Sequence, residues 1–296
     1  MARAAAATGS IQHHGEQLAA ALPPLLVAAD RVAATVAQGV HGRRRVGQGD
    51  SFWQFRQYQP GDAPQRIDWR ESAKSQRLYI RETEWEAAQS VWLWRDSSAS
   101  MEYASMRTLP TKRARADLLL VALAALLVRG GERATLLGSG VPPLSGRVAL
   151  SRIAALVEQP NGPGASLPGF QSLPRYAQVV LIGDFLSPLA EVQSALAAFA
   201  ASGTRGHVLQ VLDPAEESLP FDGRVRFEDL EDAGDVLISR VEAVRDQYVE
   251  RMVAHREGLA QIARGFGWSF ATHHTDRPPQ TALLALYTAM ADTPGP

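Results

Sequence analysis

From Ser90 onward, apolar runs and amphipathic stretches alternate along the chain. "SVWLWRD" (90–96) is an apolar run of strand length, and "TKRARADLLLVALAALLVRGG" (111–131) reads as a helix closed by glycines. "ERATLLGSG" predicts a second strand and "ALSRIAALVEQ" a second helix. "YAQVVLIGDF" (176–185) is almost unbroken in aliphatic residues, as expected of a strand buried on both faces. Helix "PLAEVQSALAAFAASG", strand "HVLQVLD", a long helix over "VEAVRDQYVERMVAHREGLAQIARGFG", strand "WSFATHH" and a closing helix at "QTALLALYTAM" follow. Between Pro214 and Ser239 the pattern reads as a hairpin insertion, and the stripe Leu118 to Leu127 as core. Alternation of this kind predicts an α/β fold, a doubly wound, mostly parallel sheet with helices on both faces.

Two segments precede that body. "LAAALPPLLVAADRVAATVAQGV" (18–40) is broken by Pro23 and Pro24 and charged at Asp30 and Arg31, so it falls short of the roughly 18 uncharged residues a membrane span needs. It predicts instead an amphipathic helix after the prolines, with Leu25, Val32, Val36 and Val40 on one stripe. His13, His14 and Glu16 stand where a signal peptide would carry basic residues, so no leader is expected. The expected organisation is a tail and helix over 1–40, a distinct segment over 41–85, and the main domain over 86–296.

Charge changes the picture only locally. The net charge of −1 gives no global pull toward nucleic acid or acidic lipid. His41 to Arg81, however, holds nine lysines and arginines against four acids, interleaved with Phe52, Trp53, Phe55, Tyr58 and Trp69. A nucleic-acid surface would combine those ingredients. The favoured reading pairs the arginines with Asp62, Asp68 and Glu71 and uses the tryptophans to anchor the segment to the sheet, with no nucleic-acid partner. "YQPGD" predicts a type II turn at Pro60 and Gly61. The chain has no cysteine, which excludes disulfides, thiolate metal sites and cysteine nucleophiles, and suits a cytoplasmic location.

The candidate chemistry sits at two strand ends. Asp96 closes the first regular strand and Asp184 the third, and ligands of open α/β sheets bind at those ends where the winding reverses. A strand order of 3-2-1-4-5 is expected to bring the two carboxylates to one crevice beside the hydroxyls of Ser98 and Ser100. Such oxygen donors suit a hard cation, Mg²⁺ or Mn²⁺. A polar turn or helix cap would use the same residue types. An aspartyl-phosphate phosphatase is the enzymatic alternative, but its second acid would fall at Ser98. No phosphate-binding glycine loop and no nucleophile elbow occur. His273 and His274 point opposite ways on a strand and read as a surface pair.

"DSSAS" (96–100) resembles the D-x-S-x-S of the metal-ion-dependent adhesion site in von Willebrand factor type A domains. Upstream, "RQYQPGDAPQRIDWRESAKSQRLYIRETEWE" resembles the bacterial family called domain of unknown function 58, with Y-x-P-G-D, R-x-I-D-W, S-A and L-Y-x-R-E ahead of a type A-like domain. The match is tight over about 40–104 and loose to about 210. The resemblance implies metal ligands at Asp96, Ser98, Ser100 and Asp184, with Ser166 of "NGPGASL" as the middle hydroxyl. It further implies a non-catalytic interaction module whose cation takes a partner's carboxylate. Its expected partners are a MoxR-type AAA+ ATPase and a client protein under chaperone-like assembly. A metal-free adaptor is the alternative. Arg95 departs from the usual apolar residue before the first aspartate; it either competes with a cation for Asp96 or points away, toward an acid such as Glu82 or Glu84.

Overall fold

The computed structural model describes residues 24–39, 46–59, 62, 67–75, 77–84, 89–159, 164–175, 177–228, 230 and 234–291. The chain divides into two compact units, one of Val40–Gln89 and one of the residues up to Gly39 together with Ser90 onward.

In the larger unit, five strands form one parallel sheet: β3 (Ser90–Arg95), β4 (Arg133–Leu136), β5 (Gln178–Gly183), β6 (Arg205–Leu212) and β9 (Ser269–His274), in the order β4-β3-β5-β6-β9. β1 (Val46–Gln57), β2 (Tyr79–Glu84), β7 (Val225–Glu228) and β8 (Asp235–Ile238) lie outside this sheet. By rank in the sheet the order is 2-1-3-4-5, not the expected 3-2-1-4-5. The first and third strands are neighbours because of this order; in the expected one the second strand would part them. Winding runs from β3 to β4 on one side and onward through β5, β6 and β9 on the other, so it reverses between β3 and β5. Trp94 pairs with Leu181 and Arg95 with Ile182 across that boundary, which aligns the two strand ends.

Helices cover both faces. On one face lie α1 (Pro24–Gly39), α3 (Lys112–Arg129) and α8 (Pro279–Ala291), which pack on one another, with α3 and α8 against the sheet. α4 (Gly146–Glu158) packs on α3 and β4. Val32 and Val36 of α1 are buried as the apolar stripe predicts, but the helix belongs to the main body rather than to a separate tail; the side chains of Leu25 and Val40 lie outside the described residues. α3 is buried from Leu119 to Leu127, the predicted core stripe. On the other face, α5 (Leu189–Ala200) and α7 (Arg245–Gly265) close over Trp92, Val179, Leu181 and Val208. Gly206 makes this closure possible, since a Cβ there would fall 1.9 Å from the Trp268 ring. After β6 come the short α6 (Pro214–Ser218) and the antiparallel ribbon β7 (Val225–Glu228) with β8 (Asp235–Ile238), the predicted hairpin.

The smaller unit pairs β1 (Val46–Gln57) with β2 (Tyr79–Glu84) antiparallel, with two register irregularities, and places the one-turn α2 (Trp69–Ser72) between them. Among the described residues these strands form their own two-stranded sheet and do not extend the edge of the parallel one. Arg56 forks onto Asp62 at 2.8 and 3.1 Å, so this arginine does pair with a local acid. Trp69 of α2 is 67% exposed. Asp62 N donates to Gln59 O and closes a turn, although Pro60 and Gly61 lie outside the described residues.

Candidate cation site at the end of the parallel sheet

Each strand end delivers its acid for a local reason. Asp96 follows the apolar β3, its backbone N–H donates to Ile182 O at 2.8 Å, and its side chain turns back to accept from Ser98 N at 2.8 Å. That turn folds the next residues into a 3₁₀ segment, Ala99–Glu102, bringing Ser98 and Ser100 to the same side. Gly183, the last residue of β5, is needed here: a Cβ on it would lie 2.8 Å from Asp96 Cβ and 3.2 Å from Asp96 Oδ2. Asp184 follows and is succeeded by Phe185 in the left-handed region at φ 50°, fully buried. A side-chain-bearing residue there costs on the order of 1 kcal/mol, and such strain gathers at functional sites.

The side chains form one connected chain of polar contacts. Ser98 Oγ donates to Asp96 Oδ1 at 2.5 Å and lies 3.0 Å from Ser100 Oγ. Ser100 Oγ donates to Asp184 Oδ2 at 2.7 Å. Lys112 Nζ donates to the same Asp184 oxygen at 2.8 Å and to Glu216 Oε1 at 2.5 Å. Asp96 and Lys112 are fully buried, and Asp184 nearly so. Asp96 Oδ2 is buried with no hydrogen-bond partner among the described residues. Burial, and then the neighbouring charge of Asp184, push the Asp96 carboxyl up to about 7, against the opposing pull of the Ser98 bonds. Burial also works against the Lys112 charge, but Asp184 and Glu216 outweigh it and hold the ammonium above its ordinary value.

Four of the five residues singled out from sequence, Asp96, Ser98, Ser100 and Asp184, thus converge. Ser166 lies in the neighbouring 164–173 segment, where Gly164 N donates to Ser97 O at 2.9 Å. Its hydroxyl accepts from Ser187 Oγ at 3.3 Å, and it makes no hydrogen bond to the other four among the described residues. Arg95 points away from the site, as strand alternation allows, and pairs with Asp117 on α3; the side chains of Glu82 and Glu84 lie outside the described residues. His273 is buried against Arg115, 3.3 Å from Nη1, and His274 meets Glu217 at 2.5 Å, so the pair is not a surface pair.

Sequence reading missed Lys112 and Glu216. A signal existed for the first: Thr111 caps α3, so Lys112 occupies its first turn, where the helix dipole disfavours a cation. A lysine there requires a nearby acid to compensate. Glu216 closes a capping box with Asp213, and the D-P-A-E spacing announces that cap without announcing the lysine.

In donor type the cluster fits a hard divalent cation: an orphaned buried carboxylate oxygen, two hydroxyls and a second carboxylate. Asp96, Ser98, Ser100 and Asp184 would hold it. Among the described residues no group of three or more His, Cys, Asp or Glu side chains assembles, so hydroxyls would have to complete the set.

The family profile described as "Protein of unknown function DUF58" matches residues 54–258, which include every member of this cluster. The chain belongs to the DUF58 family. This DUF58 chain is 31% identical over 278 residues to uncharacterized proteins Mb1516 of Mycobacterium bovis and Rv1480 of Mycobacterium tuberculosis, covering 88% of its own length and 86% of theirs. Solved structures of BatB from Bacteroides thetaiotaomicron and of an aerotolerance-related membrane protein from Bacteroides fragilis align at TM-score 0.40 and 16% identity, over 70% of this chain and all of theirs. No helix among the described residues is long and apolar enough to cross a membrane.

Proposed function

We propose that this protein is a non-catalytic protein-interaction module with a von Willebrand factor A-like body and a divalent-cation site formed by Asp96, Ser98, Ser100 and Asp184. The observation that carries the reading is Asp96 Oδ2, an acidic oxygen buried with no hydrogen bond among the described residues and set beside a second carboxylate. Leaving such an oxygen unmatched costs several kcal/mol, and a cation would remove that cost. A bound Mg²⁺ would supply an open coordination position for a partner's carboxylate. Ser98 and Ser100 orient the two acids, and the burial of the cluster strengthens every contact in it. The resemblance to the family adds the kind of partner: a MoxR-type AAA+ ATPase, acting with this module on a client protein.

A second reading is favoured by Lys112. Its ammonium already bonds Asp184 Oδ2, so the module could work as an adaptor with an internal cation in place of a metal. Electron paramagnetic resonance of Mn²⁺ with the wild type and with Asp96→Ala/Asp184→Ala separates the two. Saturable binding lost in the variant supports the cation site. Absence of binding in both establishes the adaptor.

A further inference from the structure

Asp184 is held from behind by two side chains outside the cluster. Gln210 of β6 is 1% exposed amid Val208, Leu209, Val211 and Leu212, and a buried amide needs a partner at each end. Its Nε2 donates to Asp184 O at 2.9 Å, and its Oε1 accepts from Thr272 Oγ1 of β9 at 3.3 Å, which settles which end of the amide faces Asp184. The sheet register sets Gln210 opposite both Gly183 and Thr272, so strand pairing itself brings these groups together. His255 reaches the same corner from α7: its Nε2 donates to Phe185 O at 2.7 Å. Gly258, on the same face of α7 three residues later, is where Leu189 packs; a Cβ there would fall 2.4 Å from Leu189 Cδ1. A bare glycine at that contact lets α7 lie close to the chain that follows Asp184.

The two carbonyl acceptors flank a single residue. Asp184 O belongs to the peptide before Phe185 and Phe185 O to the peptide after it, and the angle between those planes is the backbone conformation of Phe185. That conformation, at φ 50°, is one a phenylalanine keeps only where its surroundings impose it. The peptide that His255 holds also carries the Leu186 N–H, which donates to Asp184 Oδ1 at 3.3 Å. With Oδ1 engaged there, Oδ2 is the oxygen turned toward Ser100 and Lys112. Both side chains grip the backbone and leave the carboxylate to its ligands.

We infer that Gln210 and His255 are positioning residues of the cluster: by holding the 184–186 backbone they aim Asp184 Oδ2 at the cation it meets. For a metal ion this rests on the cation-site reading; for the Lys112 ammonium it rests only on the contact already described. Without either grip the corner relaxes toward negative φ, and the carboxylate turns with it.

The test uses the full chain, with Mn²⁺ affinity read by electron paramagnetic resonance and urea midpoints read without metal, for His255→Leu, His255→Gln and Gln210→Met. Mn²⁺ affinity should fall by at least about tenfold in His255→Leu and in Gln210→Met, as on loss of a group that orients a metal ligand. His255→Gln, whose amide can place a donor where Nε2 stands, should stay close to the wild type. So should Gly206→Ala, which disturbs packing at Trp268 instead. Wild-type affinity in His255→Leu and Gln210→Met, or no recovery in His255→Gln, would overturn the inference. A double-mutant cycle without metal puts the same question to Lys112. The fall in urea midpoint on Lys112→Met should be smaller in His255→Leu than in the wild type, because the carboxylate no longer faces the ammonium. If the wild type binds no Mn²⁺, the cation-site reading has failed and this cycle alone decides: additive losses then overturn the positioning role, and a smaller loss upholds it.

Discussion

Lys112 Nζ lies 2.8 Å from Asp184 Oδ2, with the lysine side chain wholly buried and the carboxylate 3% exposed. The ammonium therefore shares an oxygen with the hydroxyl of Ser100, at the position where a cation would draw on Asp184. Removing it as Lys112→Met leaves Asp184 and Glu216 without their common counter-ion. Loss of about 3–5 kcal/mol is expected, read as a fall in the urea midpoint without metal. The same substitution should raise Mn²⁺ affinity by about tenfold or more, since a like charge no longer competes for the ligand. Unchanged or weaker Mn²⁺ binding would mean that the lysine supports the ligand geometry instead of opposing the ion.

Gly183→Ala should damage the site from its wall. The added Cβ meets Asp96 at 2.8 Å, so the acid must shift; a cost of about 1–3 kcal/mol and loss of Mn²⁺ binding are expected. Gly206→Ala, which meets the Trp268 ring on the far face, is the control: it should destabilise the fold while the remaining folded protein keeps its Mn²⁺ affinity. If both variants bind Mn²⁺ normally, Asp96 is not a ligand.

Arg95→Leu probes the neighbour of the site. Its guanidinium pairs with Asp117, whose carboxyl burial pushes up to about 6 against the pull of Arg95. The substitution strands Asp117 and should cost roughly 3–5 kcal/mol in thermal or urea unfolding. Mn²⁺ affinity should stay within about twofold, because the charge is directed at α3 and not at Asp96. Tighter binding in this variant would restore the competition between Arg95 and a cation.

Acid should act through His207. Burial pulls this imidazole down to about 4 from 6.5; its Nδ1 lies 2.8 Å from Ser269 Oγ, and its Nε2 has no hydrogen bond among the described residues. A depressed folded value means that the neutral ring stabilises fully above about 6.5 and that this stability is lost as pH falls through 4. Asp96 and Asp117, both raised, act in the opposite sense across overlapping pH, so the total slope mixes the two. The difference between wild type and His207→Gln isolates the histidine: wild type should lose about 2–3 kcal/mol more between pH 6.5 and 4. Parallel urea midpoints across that range would rule the histidine out.

The sheet was legible in this sequence because its three central strands are mostly buried on both faces and read as nearly unbroken apolar runs, "SVWLW" and "QVVLIG" among them. Strand order was not, because apolar runs carry no record of which neighbour they pair with; the adjacency of β3 and β5 came from an order different from the one expected. Asp96 and Asp184 stand out as acids that end apolar runs, although Asp213 ends another such run and serves as a helix cap. Lys112 and Glu216 lie 16 and 120 residues beyond Asp96 and announce themselves only as helix-end residues, so their meeting is a product of the tertiary fold. Glu82 and Glu84 attract attention for Arg95 through proximity in sequence; Asp117, its partner among the described residues, sits on the helix after β3 and is marked by nothing near Arg95 in the chain.

α1 packs against α3 and α8, yet the chain leaves that body at Gly39 and rejoins it at Ser90. The 40–89 unit is thus an insertion spliced between a helix and the first strand of the sheet. A recombinant piece begun at Ser90 would strip α1 from its neighbours and bare the apolar surface that Ala29, Val32 and Val36 cover. A nick within the insertion, by contrast, would leave two polypeptides held together without a covalent link.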